Sequence, residues 1–265
     1  MADRLSDRDW AILRSVQQHQ LMTVDQIHAL HFADLAPKSG PRIARRTLAR
    51  LRAMAVLGTL HRRIGGVRAG SNGLVHFVDD VGNRLLAQES GTTIRRRKHE
   101  PTERFMDHRL AIGSTHVELA AAARSSALDL LRCDLEPPAW RRYVGLGGAR
   151  LVLKPDLYVE TAASGSELVD AWFVEIDLGT ESIPTVLKKC REYETYRRTG
   201  TEQERNDGAF PIVIWSMTAR DLALAERRRT ALRKGIAADR TLTDALFRIV
   251  APDQLLPLIQ KGGDT

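Results

Sequence analysis

The chain has 265 residues, 43% hydrophobic and 28% charged, a balance that excludes disordered, collagenous and coiled-coil proteins and sets a range of one large or two small domains. No apolar stretch approaches the roughly 20 residues that cross a bilayer. The first seven residues lack the apolar core of a signal peptide, and the two distant cysteines, Cys133 and Cys190, exclude a disulfide framework or a cysteine-rich zinc site.

A reduced, cytoplasmic protein without membrane contact is expected. The formal charge of +7 is unevenly spread: residues 1–110 hold nineteen Lys and Arg against eleven Asp and Glu, and the remainder is nearly balanced. Between Asp34 and Asp79 there is no acidic residue, yet nine basic ones occur. A single-sign run of this kind repels itself unless an anionic partner relieves it, and nucleic acid is the commonest such partner.

Ser6 with Asp9 forms a capping-box signature ahead of Trp10, Leu13 and Val16, predicting a first helix. Thr23 with Gln26 repeats the device ahead of Ile27 and Leu30. A third helix is expected from Pro41 to about Leu57, with Gly58 as a left-handed cap. At 100° per residue this helix gathers Ile43, Leu48, Leu51, Met54 and Ala55 on one side. Arg42, Arg45, Arg46 and Arg52 gather opposite, with Ala49 and Ala53 among them and Arg50 at the margin. Small residues between arginines allow close approach to a groove, where guanidinium forks reach phosphates or guanine edges.

Two short strands, 59–64 and 74–78, flank a Gly/Asn/Ser-rich loop and read as a hairpin carrying Arg62, Arg63 and Arg68. A further helix follows from about Asp80. Three helices, a basic hairpin and another helix make a winged helix-turn-helix, whose recognition helix enters the major groove of double-stranded DNA while wing arginines meet the backbone. Residues 1–90 form this domain. Residues 91–104, with Arg95, Arg96, Arg97 and Lys98, form a basic linker or add phosphate contacts.

Residues 105–265 read as a second domain. A helix runs from Phe105 through an alanine-rich stretch to Leu131, followed by strands at 151–159 and 168–177. A helix is expected over 182–198, a strand over 210–215, a polar helix over 218–234 and a last strand over 246–250. The order describes an α/β sandwich with a mixed sheet. Asp156 follows Pro155 at one strand, and Glu175 and Asp177, two apart on the next, share a face. Carboxylates gathered on one face of an apolar sheet repel unless a cation sits between them. Asp156, Glu175 and Asp177 are therefore candidate ligands for Mg²⁺ or Mn²⁺, hard ions that prefer oxygen donors and polarise phosphodiesters.

Pro155-Asp156 and Glu175-Ile176-Asp177 in this element order resemble the PD-(D/E)xK, or restriction-endonuclease-like, core. The whole chain resembles the actinobacterial replication-relaxation family, through Leu5-Ser6-Asp7-Arg8-Asp9-Trp10, the Gly-x-Arg-x-Gly-Ser stretch from Gly66 to Ser71, and Val174 through Glu181. The resemblance implies a role in plasmid or mobile-element replication. The nuclease pattern asks for Lys at the position of Asp177. Some members of that superfamily carry the lysine on the following helix, which here offers Lys188 and Lys189. Helical angles favour Lys189, which flanks the stripe of Val186, Cys190 and Tyr193.

Related nucleases sometimes place another acid at the position of Glu118; His108, His116 and Glu181 are peripheral candidates. The expected function is DNA binding with Mg²⁺-dependent phosphodiester hydrolysis by Asp156, Glu175, Asp177 and Lys189. The alternative is a non-catalytic replication or transcription factor whose nuclease-like domain serves for dimerisation or DNA binding. A homodimer reading a palindrome and contacts with replication or transfer proteins are further expectations.

Overall fold

The computed structural model describes residues 2–61, 74–91 and 101–262. Arg62, Arg63, Arg68, the Gly66–Ser71 stretch and the basic run Arg95–Lys98 lie outside the described residues. The chain divides into two units, residues 1–121 and 122–265. Together they hold eight α-helices among the described residues.

The first unit opens with α1 (Asp7–His19) and α2 (Val24–His31), each begun by the capping box that the sequence announces: Ser6 with Asp9, and Thr23 with Gln26. The third helix, α3, spans Gly40–Ala53, with Pro41 in its first turn. It stops four residues short of the expected end because Ala55, not Gly58, takes the left-handed backbone, at φ 52. Gly58 instead lies in a strand beneath Phe77, whose ring would stand 2.3 Å from an added Cβ.

A three-stranded antiparallel sheet follows the order β1 (Met22–Thr23), β3 (Leu74–Val78), β2 (Leu57–His61). Strand β1, two residues long, pairs Met22 with His76 and Thr23 with Val75. Helix α4 (Asp80–Ser90) closes on Gly91 in the left-handed region. The core of this unit is built from Ile12, Leu13, Val16, Ile27, Phe32, Leu48 and Leu51, all but inaccessible to solvent.

Helix α5 (Glu103–Arg124) begins where the second domain was expected, yet its residues to Ala121 belong to the first unit. Buried Arg109 explains this. Its Nε and Nη2 donate to the His19 carbonyl at 3.1 and 2.9 Å, satisfying an orphan acceptor at the end of α1. Gln26 Nε2 donates to the Leu110 carbonyl at 2.7 Å, and Met106 and Leu110 pack with Leu21 and Val75.

The second unit is centred on a mixed five-stranded sheet. Its order is β10 (Phe247–Val250), β9 (Ile212–Met217), β8 (Val169–Asp177), β7 (Leu157–Ala162), β4 (Asp129–Leu135). Strands β10, β9 and β8 run parallel to one another, and β7 and β4 continue antiparallel. Strands β5 (Arg141–Val144) and β6 (Arg150–Leu153) form a separate hairpin.

Helices α6 (Ile183–Arg197) and α7 (Leu222–Ala238) contribute Val186, Cys190, Tyr193, Leu232 and Ile236 to a core shared with Phe173, Val213 and Trp215. A last helix, α8, spans Pro252–Lys261. The helix expected to reach Leu131 ends at Arg124, because Ser126 turns left-handed at φ 57 and the chain re-enters as edge strand β4. The single strand expected over 151–159 is two, β6 and β7. Pro155 separates them, lacking the N–H that would continue a ladder. No helix of the described residues is long and apolar enough to cross a membrane.

Candidate functional site

Two sets of candidate residues stand out, one in each unit. On α3, Ala44, Leu48 and Leu51 are buried, and Arg42, Arg45, Arg46 and Arg52 are exposed with Ala49 and Ala53 between them. None of these four arginines has a carboxylate partner among the described residues. The helix therefore presents four unneutralised guanidiniums on one face.

Arg50 differs. Its Nη2 donates to both oxygens of Asp9, at 2.6 and 2.7 Å, and Asp9 is 1% exposed. Burial works to raise the Asp9 carboxyl, but Arg50 and Ser6 together hold it below its ordinary value. Arg50 thus ties α3 to the start of α1. Its engagement with a residue 41 positions away carries no sequence signal beyond its place at the helix margin.

In the second unit, β7 and β8 run antiparallel with Leu157 opposite Val174, so Asp156 enters opposite Glu175. Asp156 Oδ2 accepts the Ile176 N–H at 2.8 Å. Glu175 is 1% exposed and points at α6. Lys189 Nζ lies 2.5 Å from Glu175 Oε2, and the Tyr193 hydroxyl, one turn further along the same helix face, donates to Oε1. Lys188 is exposed on the other side of α6.

Burial pushes the Glu175 carboxyl up to about 8; Lys189 opposes the rise and the Asp156 charge adds to it. Burial alone would lower the Lys189 ammonium, but Glu175 and Asp156, with a smaller contribution from Glu181, hold it above its ordinary value. Burial and then Glu175 raise the Tyr193 phenol, keeping it a donor.

Asp177 shares a strand face with Glu175 but not its partners. Its Oδ2 pairs with Arg228 Nη2 of α7 at 2.7 Å, and its Oδ1 accepts the Gly179 N–H at 2.9 Å. Gly179 is required there, since its φ is +77 and an added Cβ would meet Ala219 at 2.9 Å. With both oxygens engaged, Asp177 anchors the end of β8 to α7. Arg228 has no motif to announce it. Tyr193 is legible only as four residues beyond Lys189.

Glu118 is exposed on α5 in the first unit, and Glu181 is exposed ahead of α6. His108 is half-buried on α5. His116 Nδ1 is 2.9 Å from His19 Nε2, and the two rings stack.

The donor set of Asp156 and Glu175 suits a hard divalent ion. Two carboxylates face one ammonium in a buried setting, where burial first, and the Asp156 charge after it, raise the Glu175 carboxyl against the pull of Lys189. A family model described as replication-relaxation matches residues 13–213, well over half of the chain. The chain belongs to the replication-relaxation family. No curated protein and no solved structure matches it. The stretch shared with the replication-relaxation family runs from within α1 to the start of β9. It includes α3, Asp156, Glu175, Asp177 and Lys189, while Arg228 lies beyond it. Membership in the replication-relaxation family suggests a role in plasmid or mobile-element replication.

Proposed function

We propose that this protein binds double-stranded DNA through a winged helix-turn-helix and cleaves a phosphodiester at a metal-assisted centre in a nuclease-like second domain, in plasmid or mobile-element replication. The DNA-binding half is supported by the four arginines of α3 that have no carboxylate partner among the described residues, carried on a helix that packs against α1 and α2 beside a small antiparallel sheet. Arg42, Arg45, Arg46 and Arg52 contact phosphates or base edges, and Arg50 fixes the angle of the helix through Asp9.

The observation that carries the hydrolytic half is the convergence of Asp156, at the entry to β7, with Glu175 of β8 and Lys189 of α6. Asp156 and Glu175 would hold Mg²⁺ or Mn²⁺, which when bound polarises the phosphodiester and lowers the pKa of an attacking water. Lys189, its ammonium held charged by two carboxylates, stabilises negative charge developing on the phosphate. Asp156 is oriented by the Ile176 N–H, and Tyr193 fixes one oxygen of Glu175.

A second reading keeps the DNA binding and drops the cleavage. It is favoured by the near-complete burial of Glu175, both of whose oxygens are engaged, by Lys189 and Tyr193. Incubation of supercoiled plasmid with the intact protein and Mg²⁺ or Mn²⁺ separates the two. The hydrolytic reading expects nicked or linear product that Asp156→Asn and Glu175→Gln each reduce at least a hundredfold. Plasmid bound but uncut in both metals, or cut equally by the variants, leaves the second reading.

A further inference from the structure

A cleft of about 470 Å³ opens in the second unit, lined by none of Asp156, Glu175 and Lys189 and unassigned by the reading above. Its floor is a closed polar network. Arg141 Nε contacts both oxygens of Glu202, at 3.2 and 3.0 Å, and the Tyr196 hydroxyl donates to the same carboxylate. Tyr158 donates to Glu160 at 2.7 Å, and its ring lies beneath the Arg141 guanidinium at 4.1 Å. The two acids of the cleft are thereby answered internally.

The rim is different. Arg142 and Arg205 line the cleft, are exposed, and have no carboxylate partner among the described residues. One wall is flat and apolar, made by Pro137, Pro138 and Trp140. The Trp140 indole Nε1 is buried without a hydrogen-bond partner, although buried indole N–H groups usually find one. Outside the lining, Lys154 Nζ stands 4.8 Å from the Trp140 ring centre.

We infer that this cleft binds one nucleotide of a DNA strand, its phosphate between Arg142 and Arg205 and its base against the Trp140 wall. Guanidinium forks without internal acids match phosphate oxygens. A flat aromatic and proline surface suits a base, because stacking tolerates any sequence. Asn206 and Glu160 supply polar groups at the edges, and the volume falls within the range of small-ligand sites. Tyr158 and Glu160 alternate with Asp156 along the chain into β7, so they share its sheet face. Four residues of strand separate Glu160 from Asp156 by about 13 Å. The inference deepens the proposed action on DNA but does not need the cleavage step.

The test is calorimetric titration of the intact protein in EDTA with a deoxynucleoside monophosphate, the matching nucleoside, inorganic phosphate and a short single-stranded oligonucleotide. The monophosphate should bind saturably, at least tenfold more tightly than nucleoside or phosphate. The oligonucleotide should compete with it. Arg142→Ala with Arg205→Ala should weaken binding at least tenfold without changing the circular dichroism spectrum, since both side chains are exposed. Arg240→Ala, exposed and outside the cleft lining, should leave it unchanged.

Several results would overturn the inference: no saturable binding, inorganic phosphate binding as tightly as the monophosphate, no effect of the cleft substitutions, or an oligonucleotide that cannot displace the monophosphate. Because the titration is metal-free, monophosphate binding alongside uncut plasmid would retain the cleft and reject the hydrolytic reading. Cut plasmid without monophosphate binding would do the reverse.

Discussion

Acid should loosen the first unit selectively, and the size of the effect follows from its histidines. All eight histidines of the chain lie at or before His116, so the second unit has none. His19 and His76 are 0% and 1% exposed, and each ring is lowered to about 4, chiefly by burial. His116, Arg109 and His31 add their charges against His19, and Arg52 acts against His76. The Ser15 carbonyl pulls the other way for His19 without offsetting burial, while the His116 contact favours the neutral ring. His19 Nδ1 must donate to the Ser15 carbonyl at 2.7 Å, so a neutral His19 Nε2 accepts from His116 Nδ1, whereas a protonated one would oppose that N–H.

In the unfolded chain these imidazoles titrate near 6.5. Between that value and about 4 the unfolded state binds protons that the folded state refuses, so stability falls as pH drops below 6.5. By pH 5 each fully buried ring costs about 2 kcal/mol and the pair about 4 kcal/mol, against a typical domain stability of about 5–15 kcal/mol. His31, half-buried and also lowered to about 4, adds a smaller amount in the same direction.

Urea unfolding at pH 7, 6 and 5, followed by pulse proteolysis and mass spectrometry of the fragments, reports each unit separately. The first unit should move to lower urea with each step, and His76→Leu should reduce the slope. A first-unit midpoint that stays constant from pH 7 to pH 5 would refute the reasoning.

Three further outcomes are expected. Replacing Arg45 and Arg46 by alanine should weaken duplex binding and flatten its log–log salt dependence by about 2, roughly 0.9 for each phosphate no longer neutralised, with stability within about 0.5 kcal/mol of the parent; an unchanged slope in fluorescence anisotropy would remove α3 from the interface. Asp9→Asn should destabilise the first unit by about 2 kcal/mol, since a charged acceptor of Arg50 and of the Ser6 N–H is lost. It should weaken DNA binding through α3, and chemical denaturation together with anisotropy checks both. Arg228→Met leaves Asp177, 5% exposed, without its cation and should cost the second unit about 3 kcal/mol in urea unfolding; a change below about 0.5 kcal/mol contradicts the anchoring role.

The parts of the fold legible in the sequence are those whose determinants are local. The capping boxes at Ser6 and Thr23 fix the starts of α1 and α2, and the apolar run into Asp177 and the Ser182 cap bound β8 and α6. Elements set by distant partners are not legible. Strand β1 exists because Met22 and Thr23 meet β3, and two residues carry no period. The start of α5 joins the first unit because Arg109 reaches the end of α1. The end of α3 depends on Ala55 accepting a conformation that composition assigns to glycine.

The candidate centre divides along the same line. Strand alternation puts Glu175 and Asp177 on one face and helical angles favour Lys189 over Lys188. Whether two acids on one face share a partner depends on which helix packs above each. Here α6 brings Lys189 and Tyr193 to Glu175, and α7 brings Arg228 to Asp177. No pattern within either helix distinguishes these destinations, so the expected three-carboxylate cluster contracts to two acids and a lysine.

The most direct test of the proposed hydrolytic centre is Mn²⁺ binding to the intact protein on an uncut duplex, followed by electron paramagnetic resonance with the duplex alone as reference. The predicted result is one additional Mn²⁺ per chain, lost in Asp156→Asn and in Glu175→Gln and displaced by Mg²⁺. An isotherm for the complex no different from that of duplex alone would contradict it.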